Sequence, residues 1–126
     1  MSSGTNLIDL LKLPEENGFV RMQVAGRISR TSWPVGYDPL VEQCGSDVYS
    51  KPALINLARA DYIDSSGVGW FLTCHKRFKE AGGKMVLHTI SPFTMQFLKL
   101  MRMDLVLNFA VDEAAARQKA QGENHA

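Results

Sequence analysis

The sequence predicts an α/β domain built on a mixed sheet, and three observations predict it. Apolar runs of strand length, such as Ala53–Leu57 and Met85–Leu87, alternate with longer stretches whose apolar residues recur at helical spacing. Strands that alternate with helices pair in parallel, because each helix carries the chain back across the sheet. Near the start, by contrast, Asn17-Gly18 stands before an alternating apolar segment and offers the positive φ of a tight hairpin, which makes the opening antiparallel.

Taken in order, residues 1–5 are small and polar and read as a disordered N-terminus. Leu7–Leu13 fits a first strand or a short helix equally, its period being ambiguous. Pro14–Gly18 reads as a turn. Phe19, Arg21 and Gln23 then alternate with Val20, Met22 and Val24, the pattern of a half-buried strand. Thr31–Tyr37, with Trp33-Pro34 and Gly36, is an irregular loop. Asp38 followed by Pro39 starts a helix that Gly45 stops early. Ala53–Leu57, bounded by Pro52 and extended by the apolar step Tyr62-Ile63, suits a strand buried in the middle of a sheet.

The helix that follows places Val68, Phe71, Cys74, His75 and Phe78 on one side and Lys76 and Glu80 opposite, with Lys79 at the edge of the stripe. Trp70 falls at the border of the buried stripe. Gly82-Gly83 ends the helix through a left-handed glycine, and Lys84–Thr89 is the next strand. Ser91-Pro92 launches a helix through about Met103, with Phe93, Phe97, Leu100 and Met101 as its inner stripe, widened by Leu98. Leu105–Ala110 is a last strand. Asp112 caps an Ala-rich helix from Glu113 to about Ala120, and residues 121–126 read as a frayed tail.

The bulk numbers exclude several function classes. With 126 residues the chain buries a single core without staples, so 6–120 is one domain. Fourteen Lys and Arg against 13 acidic residues give no field that would draw nucleic acid or anionic lipid. No apolar stretch approaches the ~20 residues of a membrane span, and the first residues lack the pattern of a signal peptide. Cys44 and Cys74 have no metal or redox spacing, which fits a reduced cytoplasmic protein.

The stretch that organises the chain is Asp64-Ser65-Ser66-Gly67, between the buried strand and the amphipathic helix. Asp64 or Ser65 suits the N-cap, where a side-chain oxygen accepts an amide of the first turn. A serine hydroxyl is thereby presented at the positive end of a helix dipole, a favourable place for a phosphate.

Asp-Ser-Ser-Gly-Val-Gly after an apolar strand, then a helix ending in Gly82-Gly83 and a strand Met85-Val86-Leu87, resembles the STAS domains, most of all the bacterial anti-sigma factor antagonists. The resemblance runs from about Ala53 to Ala116 and is thin before it. It implies a STAS-like fold and a phosphoacceptor directly after the aspartate, Ser65, with Ser66 as the alternative hydroxyl and Asp64 and Gly67 shaping the turn. It also implies a cytoplasmic partner-switching module in transcription regulation, with no cofactor or metal of its own. Unphosphorylated, it would bind an anti-sigma factor serine kinase and free the sigma factor. Phosphorylation would break that complex and a serine phosphatase would restore it, ATP and magnesium belonging to the kinase. Ser29 and Asn56 stand where the family often has aspartate, a departure near the phosphosite.

Each candidate has an ordinary reading beside the functional one. Ser65 is otherwise a helix cap. Trp70 is either an aromatic anchor for a partner or a side chain folded against a neighbouring loop. Met95, Met101 and Met103 read as core filler, with Met103 also a soft contact surface. Gly-x-Ser-x-Gly, the usual hydrolase elbow, is absent. His75, His88 and His125 lack triad or metal-ligand spacing, and His75 reads as a hydrogen-bonded core residue. Cys44 has no evident activating partner, and Gly82-Gly83-Lys84 lacks the Walker spacing. The expectation is a protein that is not an enzyme. Its rivals are a constitutive STAS scaffold, in a sensor complex or as an accessory subunit of a transporter, and a small enzyme using Ser65 or a cysteine. The sequence names neither the kinase, the sigma factor nor the oligomeric state.

Overall fold

The structure is a computed structural model, which describes residues 9–29 and 36–122. The expected disorder of residues 1–5, the loop around Trp33-Pro34 and the last residues of the tail lie outside the described residues. Five strands form one sheet in the order β1 (Asp9–Glu16), β2 (Phe19–Ile28), β3 (Pro52–Ile63), β4 (Lys84–His88) and β5 (Asn108–Ala110). β1 and β2 are antiparallel and every other neighbouring pair is parallel, as the opening hairpin and the later alternation require.

The hairpin turn is narrower than Pro14–Gly18. β1 continues to Glu16, and only Asn17 and Gly18 turn, at φ of 54° and 83°. Pro14 is tolerated inside the strand because β1 is a sheet edge and its pairing is irregular between Leu13 and Glu16.

Side-chain alternation divides the core into two layers. Val20, Met22, Val24, Ala53, Ile55, Leu57, Met85 and Leu87 face the larger layer, under α1 (Pro39–Cys44), α2 (Ser65–Ala81) and α3 (Pro92–Leu100). Phe19, Leu54 and Val86 face the opposite way, against Ala116 and Ala120 of α4 (Glu113–Gly122). Covering by helices on both faces explains why β3 is a nearly unbroken apolar run at its start. α4 extends past the expected end at Ala120. Its Glu113 receives two hydrogen bonds from Arg21 of β2, at 2.8 and 3.2 Å, and two from Arg117, at 2.7 and 3.2 Å, clamping the helix to the sheet.

Two expectations are corrected. α3 stops at Leu100, and its buried residues are Thr94 and Leu98, with Phe97 partly covered; Phe93 and Leu100 are 68% and 75% exposed, and Met101 is exposed as well. The apolar residues around this helix do not choose one stripe by themselves. Ser91 Oγ takes the Thr94 amide and bonds the Thr94 hydroxyl, so a polar residue fills the inner position. Met103–Leu105, expected as the end of the helix and the start of the strand, is a 3-10 turn following Arg102 in the left-handed region at φ 64°, and β5 begins only at Asn108. β3, Pro52–Ile63, runs through both expected apolar steps as one strand, with two shifts in its register against β2.

Candidate functional site

The Asp64–Gly67 turn sits at the C-terminal end of β3, against the end of β2. Asp64 is the N-cap of α2: its Oδ1 accepts the Gly67 amide at 2.9 Å and the Ser66 hydroxyl at 2.7 Å. Ser66 Oγ lies 3.2 Å from Ser29 Oγ, and Ser29 is itself buried and hydrogen-bonded to Asp64. Burial raises the Asp64 pKa, but hydrogen bonds from Ser66, Gly67 and Ser29 outweigh it, and the carboxyl titrates below its ordinary value. Asp64 is therefore an anion at neutral pH, held under the turn by two serines and the first amides of the helix.

The two adjacent hydroxyls differ sharply in environment. Ser66 is half-buried and donates to Asp64, whereas Ser65 is exposed at the first position of α2. The hydrogen bonds of the described turn bypass the Ser65 hydroxyl. Helical spacing alone gives both serines the same dipole; what separates them is the inward turn of Ser66 toward Asp64 and Ser29.

Gly67 lets the helix come this close. A Cβ there would lie 2.1 Å from the Ile28 carbonyl oxygen at the end of β2. The Asp64 amide donates to that same oxygen at 3.4 Å. Gly67 thus fixes the distance between the Asp64–Gly67 turn and the end of β2, where Ser29 follows.

Ser29 is in the site, as its place in the sequence implies, but as a hydroxyl that supports Asp64. Asn56 is not brought to the turn as a charge substitute. Its Oδ1 accepts the Ala58 amide at 2.7 Å, a local loop within β3, and its Cα partner in β4 is His88.

Trp70 is placed differently from the border position expected of it. It is 4% exposed and packs its ring on Phe71 with centroids 5.0 Å apart, so it belongs to the core. Helical phase puts Trp70 about 100° from Phe71, but α2 is covered on that side as well, and the stripe is wider than the sequence suggests. Met103 is half-buried in the 3-10 turn, packed against the core.

The histidines and cysteines take quieter positions. His75 is half-buried beside a surface hollow and is not the hydrogen-bonded core residue expected. His88 is buried, with Nδ1 2.8 Å from Thr89 Oγ1, while His125 lies outside the described residues. Cys44 is half-buried with Sγ 3.6 Å from Met22 Sδ, and burial pushes its thiol pKa up, away from nucleophilic reactivity. Among the described residues no group of three His, Cys, Asp or Glu side chains is placed to hold a metal ion. No described helix is long and apolar enough to cross a membrane.

One polar cluster joins residues far apart in the sequence. Asp38 caps α1 through Oδ1, and its Oδ2 accepts from Tyr49 Oη and Arg77 Nη1, both at 2.7 Å. This ties α1, the 3-10 turn Val48–Ser50 and α2 together. Only Asp38 before Pro39 was legible in the sequence; its two distant partners carry no local pattern.

The family model of the STAS domain matches residues 15–116. Similar solved structures include an anti-sigma factor antagonist from Thermotoga maritima, described as putative, with a TM-score of 0.72 at 15% identity, covering 84% of this chain and 90% of that one. An anti-sigma factor antagonist from Mycobacterium paratuberculosis aligns with a TM-score of 0.66 at 19% identity, over 95% and 99% of the two chains. The anti-sigma factor antagonist SpoIIAA in its unphosphorylated form aligns at 0.54 and 15% identity, over 93% and 98%. At these identities the likeness is one of fold.

Proposed function

The chain belongs to the STAS domain family, and we propose that within it the protein is an anti-sigma factor antagonist switched by phosphorylation of Ser65. In the unmodified state it binds an anti-sigma factor serine kinase through the N-terminal end of α2, in the bacterial cytoplasm. Transfer of a phosphoryl group from the kinase's ATP to Ser65 Oγ breaks that complex, and a serine phosphatase restores it. The chain supplies the acceptor and the docking surface, and the kinase supplies the catalysis.

The observation that carries this reading is the contrast between the neighbouring serines. Ser65 is exposed at a helix start, reachable by a second protein, while Ser66 donates a hydrogen bond to an ionised Asp64. The fold shared with three anti-sigma factor antagonists supports the choice of partner. A phosphate adds about −1.5 to −2 charges at neutral pH, beside the Asp64 carboxylate, and would desolvate poorly inside an interface.

The proposed footprint takes in Ser65 and the outer side of Ser66, with Met103 as a secondary soft contact. Trp70, being buried, is assigned to supporting the helix from beneath.

The test is phosphorylation by the serine kinase of the same genome, with labelled ATP and phosphopeptide mapping. Label is expected on Ser65. Ser65→Ala should take none and hold the kinase persistently, while Ser66→Ala is still labelled. Label on Ser66 would move the acceptor. A domain that binds its partner and is never labelled would instead be a constitutive scaffold.

A further inference from the structure

At the far end of α2 from Ser65, roughly 21 Å along the helix axis at 1.5 Å per residue, a hollow of about 310 Å³ opens between α2, the start of β4 and the chain before β5. We propose that it binds a small organic anion carrying its acid group on an apolar body.

His75, Lys79 and Lys84 line the hollow together with Phe78, Met85 and Val106, and none of its lining residues is acidic. His75 and Lys79 are four residues apart on one helix, so they share a face, and Lys84 approaches from β4. An anion there would meet the two ammonium groups and the imidazole, and the aromatic and aliphatic floor of Phe78, Met85 and Val106 offers contact to an apolar group attached to it. Lys79 also lies in the last turn of α2, where a cation is favourable to the helix dipole. That accounts for Lys79 and not for His75.

The hollow is also preformed. Gly83 at its base donates its amide to Tyr49 O at 3.1 Å and Phe78 O at 2.9 Å, and a Cβ there would lie 2.4 Å from both the Tyr49 and Lys51 carbonyl oxygens. Asn108 Nδ2 bonds Met85 O at 3.1 Å and fixes the wall opposite α2. The volume is at the small end of the about 300–1,000 Å³ typical of ligand pockets, which limits the occupant to one ring or a short chain. Burial, Lys79 and Lys84 all lower the His75 pKa, so a bound anion should raise it and be taken up with a proton.

Phenyl phosphate is the probe, followed by amide and imidazole NMR on the full chain, with phenol and inorganic phosphate as controls for its two halves. Saturable shifts are expected at Lys79, Gly83, Lys84, Val106 and Asn108. Each control should bind at least about tenfold more weakly. Lys79→Gln with Lys84→Gln should weaken phenyl phosphate by about tenfold or more while leaving the free protein's spectrum dispersed. The His75 imidazole should titrate at higher pH with the probe bound. The inference is overturned if no saturation occurs below about 10 mM, if inorganic phosphate reproduces the shifts, or if the double substitution leaves affinity unchanged. None of these readouts involves Ser65, so they stand or fall apart from the proposed switch.

Discussion

Replacing Gly67 with alanine tests the close approach on which the Asp64–Gly67 turn depends. The new Cβ would fall 2.1 Å from Ile28 O, 2.9 Å from Ile28 C and 3.0 Å from Ile28 Cγ2. Two of these are backbone atoms, held by the pairing of Ile28 with Ile63 in the β2–β3 ladder. The helix start or the strand end must therefore retreat by roughly 1 Å or more to restore ordinary contact. Overpacking of this kind costs about 1–3 kcal/mol, and a rigid backbone neighbour places the cost near the top of that range. Alanine returns about 1 kcal/mol through helix propensity, leaving a net loss of about 2 kcal/mol. Gly69 provides the control, two residues along the same helix, because nothing lies within 4 Å of a Cβ there. Gly69→Ala should keep the propensity gain, about 0.5–1 kcal/mol. In urea, with m of about 1–3 kcal/mol/M, the two midpoints should separate by roughly 1 M or more. Coincident midpoints would refute the claim that Gly67 is required by packing.

Phe71→Ala and Trp70→Ala should each cost about 3–5 kcal/mol in urea melts, as emptied buried aromatic sites do, while Lys76→Ala stays within about 0.5 kcal/mol; a Trp70→Ala protein as stable as Lys76→Ala would put that ring back on the surface. Hydrogen bonds from Arg21, opposed by burial and joined by Arg117, hold Glu113 from an ordinary 4.5 down to about 2. Since the folded pKa is the lower one, this contribution is complete above pH 4.5 and is lost as pH falls toward about 2. E113Q should therefore be less stable than the parent at neutral pH, with the difference shrinking across that window in acid titrations of stability. Asp38→Ala removes the α1 cap and the shared acceptor of Tyr49 and Arg77, and should cost about 1–3 kcal/mol by thermal unfolding.

What the sequence shows of this fold follows from how local each cause is. The hairpin at Asn17-Gly18, the strand at Ala53, the helix from Ser65 and its stop at Gly82 rest on turn chemistry and periodicity within a few residues, and the structure places them accordingly. The α3 stripe fails because Phe93, Phe97, Leu98, Leu100 and Met101 occupy nearly every side of a nine-residue helix, so apolar spacing cannot choose a phase. Tertiary packing chooses it, and buries Thr94. Trp70 shows the same limit, since a border residue becomes a core residue when the fold covers both sides of the border. At the turn, Asp64 as cap is local and legible. Ser29 reaching Ser66 across 37 positions is not, except through the family resemblance.

The geometry of the turn also bears on how a phosphate at Ser65 would act. Asp64 accepts both the Ser66 and Gly67 amides, so the donors that would wrap an anion at a bare helix N-terminus are already engaged. A phosphoryl group on Ser65 would gain the helix dipole and solvent, and little else from this domain. It would also sit next to a carboxylate whose lowered pKa keeps it charged. In water that pair is screened and tolerable; at 4 Å two unit charges repel by about 1 kcal/mol at bulk dielectric and by about 4 kcal/mol at an effective dielectric of 20. The penalty therefore grows as a partner covers the turn and expels water. A switch of this kind acts on the interface, and it needs no movement of α2, whose start is pinned to β2 by Gly67 and the Ile28 carbonyl.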